Sequence, residues 1–389
     1  MTTMPAAPTP TPTARRPFAA MLIAAVIGLA CGYVVLEFVN AGILLLWETI
    51  PRSWESTPAW YVIGILLVGA VLVYLIRTHV GDAGHSPIDG ITIARLSPKD
   101  YVGVILAIVA SLWGGVVLGP EVALVTTGSM LGGIVATRMR LAGPKDVKKI
   151  VGSGALGAIL ALFIGPITSG SMKLGTAPSA VEFDQLGWAV VVAIISVVVV
   201  TLARMGAGMM TRVTRGRPHL VILVATSLVI AVSALIVQSL TGEGIFYIVT
   251  SGEEFIGDLP SLTSVSTIIA IIVFKAIAYA VSLGSGFRGG PFFPAMFIGA
   301  ASGLLISRAM GEAGPSVPTA IAVGVVASLI ATAPMKWPIA IGLGIVLGML
   351  IGTWALVPAT LVGAIVARAV PRWGDRLASA KVSEPVSAG

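Results

Sequence analysis

The chain has 389 residues, 56% of them hydrophobic and only 11% charged, with a mean hydropathy of +1.00. A soluble domain carries about 25% charged residues, so this composition excludes a water-facing surface over most of the molecule and leaves lipid to cover it. The net charge of +7 does not point to nucleic acid, because the basic residues fall in short clusters between apolar runs and form no continuous stripe.

Residues 1–17 read as a disordered tail, Pro-, Thr- and Ala-rich over 1–14. Arg15 and Arg16 then precede an apolar run of about 30 residues over 18–47. A signal peptide is the alternative reading, but its apolar core is only about 7–15 residues. Further apolar runs follow at 59–76, 102–118, 122–137, 150–164, 187–206, 219–239, 265–282, 292–306, 318–333, 338–351 and 353–369. They predict an all-α, polytopic membrane domain over 18–370 and a C-terminal tail over 371–389. Several runs fall short of the about 20 residues a full span needs. Gly119-Pro120, Gly165-Pro166, Gly289-Gly290-Pro291 and Ala333-Pro334 cut into them. Such breaks predict helices that start or stop inside the membrane, which are tolerated only where they are buried or line a cavity. Their recurrence in both halves predicts a repeated architecture.

The loops set an orientation. Arg138, Arg140, Lys145, Lys148 and Lys149 crowd one loop against Asp146 alone, and Arg204, Arg212, Arg215 and Arg217 crowd another. The tail holds Arg368, Arg372, Arg376 and Lys381. The 242–258 loop carries Glu243, Glu253, Glu254 and Asp258 and no Lys or Arg. The positive-inside rule places the basic loops and the C-terminus in the cytoplasm of a cell-membrane protein.

Three segments share one design, glycines and a proline just before a helix start: Gly81-Asp-Ala-Gly-His-Ser-Pro87, Gly119-Pro-Glu121, and Gly284-Ser-Gly-Phe-Arg-Gly-Gly-Pro-Phe-Phe-Pro294. A helix start leaves unpaired N–H groups and a partial positive charge. Several of them converging make an anion site without a buried cation. Ordinary helix breaks with packing glycines are the competing reading for any one of them. Glu121 is the sharpest residue, the only acid between Asp100 and Asp146. An acid at membrane depth is costly and by default functional, whereas a cap on its own helix needs no such burial. No further paired intramembrane acids are expected, which argues against a proton- or sodium-coupled transporter of another fold. The single Cys31 and the scattered His79, His85 and His219 exclude an internal disulfide and a Cys/His metal cluster. No nucleophile–base pair is legible, so neither an enzyme nor a cofactor is expected.

These segments resemble the signature loops of the CLC family of chloride channels and proton/chloride antiporters. Gly119-Pro-Glu-Val-Ala-Leu-Val-Thr-Thr-Gly128 is similar to the family's G-[KR]-E-G-P stretch, and Glu121 falls on its gating glutamate. The 284–294 segment resembles the G-x-F-x-P loop with its GSGxPGG lead, and the 81–87 segment resembles the GSGIP loop. The resemblance implies a CLC-like inverted repeat and passage of a small monovalent anion, chloride first. It implies an anion gate at Glu121 and anion-binding groups at Gly84, Ser86, Val122, Phe292 and Phe293. Arg288 either raises the local anion concentration or reaches carbonyls at helix ends or a headgroup.

The chain also departs from the family. The inward-facing glutamate of antiporters has no counterpart in Ser169–Thr176, and two family helices are missing or reduced between Pro166 and the run at 187. Those helices belong to the family's dimer interface, so the homodimer the resemblance implies rests on less. No Tyr follows Tyr279 to match the late anion-coordinating tyrosine. Pro291 has no N–H to give, which leaves those of Phe292 and Phe293. A non-conducting scaffold or sensor that kept the fold is the reading these losses favour. Lys275, inside an apolar run, is expected to snorkel or to bond carbonyls. His85 reads as a solvated or capping histidine. Trp47, Trp60, Trp188 and Trp354 fit an interfacial belt.

Overall fold

Without water to bond stray backbone groups, lipid-embedded chain folds into helices. The computed structural model of the chain follows that rule; it describes residues 15–81, 87–89, 98–141, 143–169, 183–214, 219–333 and 335–370. The helices are α1 (Arg15–Leu44), α2 (Ala59–His79), α3 (Pro98–Trp113), α4 (Glu121–Arg138), α5 (Pro144–Ser169) and α6 (Phe183–Thr214). Then come α7 (His219–Thr241), α8 (Val265–Gly284), α9 (Phe292–Met310), α10 (Val317–Thr332), α11 (Trp337–Ile351) and α12 (Val357–Ala369). Among the described residues, seven helical stretches are long and apolar enough to cross a membrane. α10 is shorter, but its residues 319–330 are all buried, so protein rather than lipid surrounds it.

The breaks at 119–120 and 289–291 separate helices as expected, but α5 runs through Gly165 and Pro166 to Ser169. A proline removes one helical hydrogen bond, and membrane helices tolerate that loss where neighbouring groups or a local adjustment of the turn take up the freed carbonyl. Trp47 also departs from expectation. Trp60 and Trp354 lie open at 70% exposure, whereas Trp47 is buried and donates its indole N–H to the Trp113 carbonyl at 2.9 Å.

An inverted repeat organises the core. The α3–α4 pair is interrupted at residues 114–120 and the α8–α9 pair at 285–291; each break ends in Gly-Pro, and the next residue opens a helix. Nine and thirteen residues after Gly119 come Gly128 and Gly132; Gly299 and Gly303 follow Gly290 at the same spacing. Gly128 and Gly132 press α4 onto the backbone of α5 at Gly154 and Ile150. Gly299 and Gly303 press α9 onto α10 at Gly324 and Ala320. Small residues let these backbones touch. The two helices start side by side and run to opposite ends. α4 ends at the basic 138–149 loop, while Arg308 in the last turn of α9 bonds the carbonyls of Leu262 and Pro260 at 3.0 and 2.6 Å.

Candidate functional site

The site is built where the two helix starts meet. Gly119 N–H donates to the Gly290 carbonyl at 2.7 Å, and Gly290 N–H returns the bond to Gly119 at 2.6 Å. This short antiparallel bridge fixes the start of α4 against the start of α9. Glu121, the first residue of α4, then crosses to the other helix. Its Oε1 accepts from Phe292 N–H at 2.7 Å and Phe293 N–H at 3.0 Å. Those are two of the N–H groups that the first turn of α9 cannot pair internally. Glu121 is only 1% exposed. Its side chain therefore caps the opposing helix, and α4 has no side-chain cap of its own.

Oε2 of Glu121 is buried and has no hydrogen-bond partner. A Cβ at Gly119 or at Gly290 would land on this oxygen. Glycine at both positions is what lets the two backbones close around the carboxylate. As Pro291 lacks an N–H, its role is through its carbonyl, which accepts the Tyr279 hydroxyl at 2.6 Å. Tyr279 comes from α8, and the Arg204 guanidinium of α6 lies beside its hydroxyl. Arg77 Nη1 donates to the Gly286 carbonyl at 2.7 Å, and the Arg288 N–H donates to Ser111 Oγ at 3.1 Å. Arg288 is 7% exposed. Three arginines thus gather around the 286–291 loop, on the side of the basic loops.

The Phe292 and Phe293 amides bond Glu121, and Val122 follows Glu121 in the first turn of α4. Gly84, His85 and Ser86 lie outside the described residues. The turn that follows them, Pro87–Asp89, packs against α8 and α6. The inner-acid region at Ser169–Thr176 is described only at Ser169. Among the described residues no group of three or more His, Cys, Asp and Glu is placed to hold a metal ion.

The opposite side of Glu121 corrects one expectation. The 242–258 loop does not extend into water. Short 3-10 turns at Ile245–Tyr247, Glu253–Phe255 and Leu259–Ser261 fold it onto the core. Ile245, Tyr247, Phe255 and Leu259 are buried there. Thr250 N–H bonds the Gly115 carbonyl at 3.0 Å, beside the α4 start. Lys275, fully buried, holds the loop by donating from Nζ to the carbonyls of Ile248, Val249 and Thr250 at 3.2, 3.1 and 3.0 Å. Of its two expected roles, it takes carbonyl bonding. The loop carries Glu253 and Glu254 inward, so paired buried acids do exist. Both oxygens of Glu254 and Oε2 of Glu253 are buried without hydrogen-bond partners, although the residues' other atoms reach the surface. Burial raises both carboxyls above the usual range; Glu254 raises Glu253 further, and Lys275 partly offsets the rise at Glu254. The signal in the sequence was the loop's own apolarity, Ile245-Phe-Tyr-Ile-Val249 and Phe255-Ile256, which a solvated loop does not carry.

Comparison with known proteins agrees with this fold. The voltage gated chloride channel family matches residues 174–372, just over half of the chain. YfeO of Escherichia coli O17:K52:H18 (strain UMN026 / ExPEC) is 27% identical over 357 residues, 80% of this chain and 84% of that protein. YfeO of Escherichia coli (strain SE11) is 28% identical over 358 residues, with the same coverage. Among solved structures, a slow cyanobacterial Cl-/H+ antiporter superposes with a TM-score of 0.72 at 17% identity, over 92% of this chain and 94% of that one. A CLC-type fluoride/proton antiporter gives 0.65 at 15% identity, over 93% and 97%. At those identities the structures speak for the fold, a multi-pass helical membrane architecture with two opposed broken helices. Fold and sequence agree that this chain is a member of the voltage-gated chloride channel (CLC) family.

Proposed function

We propose that the protein passes a small monovalent anion through the membrane, with chloride the first candidate, and that Glu121 is the gate. One observation carries the reading: a buried carboxylate, itself a monovalent anion, occupies the N–H groups at the start of α9. A helix N-terminus draws anions through its free N–H groups and its dipole. The carboxylate and a permeant anion therefore compete for the same donors. Protonation of Glu121 removes its charge, weakens its hold on Phe292 and Phe293, and releases the site. Ser86, Gly84 and Val122 complete the anion path in this reading, and Arg288, with Arg77 and Arg204, draws anions toward it.

Charge distribution supports a cytoplasmic placement of the basic end and the C-terminus. Arg138, Arg140, Lys145, Arg212, Lys336 and Arg368 fall at one end of the bundle, while Glu48, Glu55, Glu243 and Asp258 fall at the other. The reading divides the chain into a tail over 1–17, the transport domain over 18–370 and a cytoplasmic tail over 371–389. It includes a homodimer, which light scattering of the detergent-solubilised chain reads as mass.

The deciding experiment is anion efflux from liposomes holding the purified chain, with chloride and fluoride compared. Efflux that rises as pH falls is expected. No efflux of either anion would favour a membrane scaffold over a conduit.

A further inference from the structure

The sealed carboxyls beside the gate have no role in anion passage as derived above. Glu48 lines a cavity of about 390 Å³ at the acidic end of the bundle, together with Trp47, Arg52, Glu55, Gln238 and Glu243. The 253–255 turn packs against α9, whose first amides hold Glu121; Glu253 lies within the electrostatic reach of Glu254 and Glu121, and Glu254 within that of Glu48. The geometry points to a proton path from that cavity through Glu254 and Glu253 to Glu121, so that the gate takes its proton from the acidic side.

Each step passes a proton from one carboxyl to the next through intervening water. Glu253 in its acid form gives a proton to the Glu121 carboxylate and becomes a carboxylate. Glu254 then reprotonates Glu253, and Glu48 or cavity water reprotonates Glu254. Charge favours stored protons here. Glu121, both oxygens of Glu254 and Oε2 of Glu253 are buried, with the buried Lys275 ammonium among them, and the interior does not hold unbalanced carboxylates cheaply. A second observation points the same way. The Thr250 and Ser251 hydroxyls, 0% and 1% exposed, have no hydrogen-bond partners and lie in the same stretch. Buried hydroxyls and carboxyl oxygens left unpaired together mark a place for water or a moving proton. The other ionisable groups around the turn are Lys275, Tyr247, whose ring lies 6.3 Å from that of Phe297, and Asp258 and Glu243 near the Tyr247 hydroxyl. α9 packs against the 253–255 turn and presents Phe297, whose ring lies 4.8 Å from the Lys275 ammonium. Arg52 pairs with Glu48 at the mouth of the cavity. Fixing Gly252 in a left-handed conformation (φ 82°) against Lys275 and Phe297 directs the turn inward.

This path rests on the reading of Glu121 as a gate, and the test separates the two. Chloride currents through the full-length protein in planar bilayers are recorded after an acid step on either side. In the wild type, current activation is expected to follow acid on the Glu48 side. Glu253→Gln and Glu254→Gln are expected to slow that activation by about tenfold or more. Glu253→Asp, which keeps an acid and the charge balance, is expected to fall between them and the wild type, and guards against a misfolded glutamine variant. Activation at the wild-type rate and midpoint in both glutamine variants overturns the path. A wild type whose current ignores pH, or a Glu121→Gln variant that keeps full pH dependence, overturns the gate instead.

Discussion

The two oxygens of the Glu121 carboxylate meet different surroundings, and that difference sets what single substitutions do. Oε1 holds two amides of α9, and Oε2 sits sealed between Gly119 and Gly290. Glu121→Gln keeps the shape without the charge, and Glu121→Ala removes the plug. Both are expected to leave anion efflux high and nearly flat with pH, where wild-type efflux rises as acid neutralises the carboxylate. A capping role alone would cost about 0.5–2 kcal/mol of stability and leave the pH profile unchanged; efflux at two pH values distinguishes them. Gly290→Ala tests the same seat from outside. The new methyl displaces the carboxylate, so efflux near neutral pH is expected to rise toward that of Glu121→Gln. Lys275 answers to a different rule. Lys275→Met unties three carbonyls and leaves buried carboxyls without a cation, and removing one partner of such a set costs about 3–5 kcal/mol. Adding Glu254→Gln is expected to restore part of the lost thermal stability in detergent.

At the scale of elements, the two halves are held by the same device, glycine against backbone. Gly299 and Gly324 face each other so closely that a methyl on either meets the other's carbonyl. Backbone cannot yield as a side-chain tip can, so Gly299→Ala is expected to destabilise by about 1–3 kcal/mol. Gly342 in α11 has open space around it, and Gly342→Ala is expected to change the melting temperature little. What the sequence discloses follows from the same physics. Helix existence was legible because apolar runs in lipid have one stable outcome. The Gly-Pro breaks before Glu121 and Phe292 were legible because each needs a special residue type. The repeat's glycine register was on the page too, as identical spacings after Gly119 and Gly290. Two things were not legible. Glu121 reaches across to α9 rather than capping α4, because which helix start faces which is a tertiary fact. Glu253 and Glu254 face inward, because acids in a loop ordinarily signal water, and only the fold of 245–262 onto the core reverses that.

Among the described residues the charge around Glu121 is asymmetric, and in the proposed reading this decides what kind of conduit the protein is. On one side stand the carboxyls of Glu48, Glu254 and Glu253. On the other, arginines surround the 286–291 loop: Arg77 bonds the Gly286 carbonyl, Arg288 lies in the loop, and Arg204 stands beside Tyr279. A proton bound for the basic end needs acceptors beyond Glu121, and fixed guanidinium charges oppose its passage while favouring an anion. The sequence between Ser169 and Thr176 supplies no acid to relay it. Protons are therefore expected to open the gate without crossing, and anions to flow down their own gradient. In liposomes with a chloride gradient and no pH gradient, proton uptake is expected to stay at the level of protein-free vesicles while chloride leaves. In planar bilayers the reversal potential is expected to follow the anion gradient and to ignore an imposed pH gradient, which changes only the size of the current. Sustained uphill proton movement driven by chloride would show that a proton exit exists past the arginines, and would turn the conduit into an exchanger.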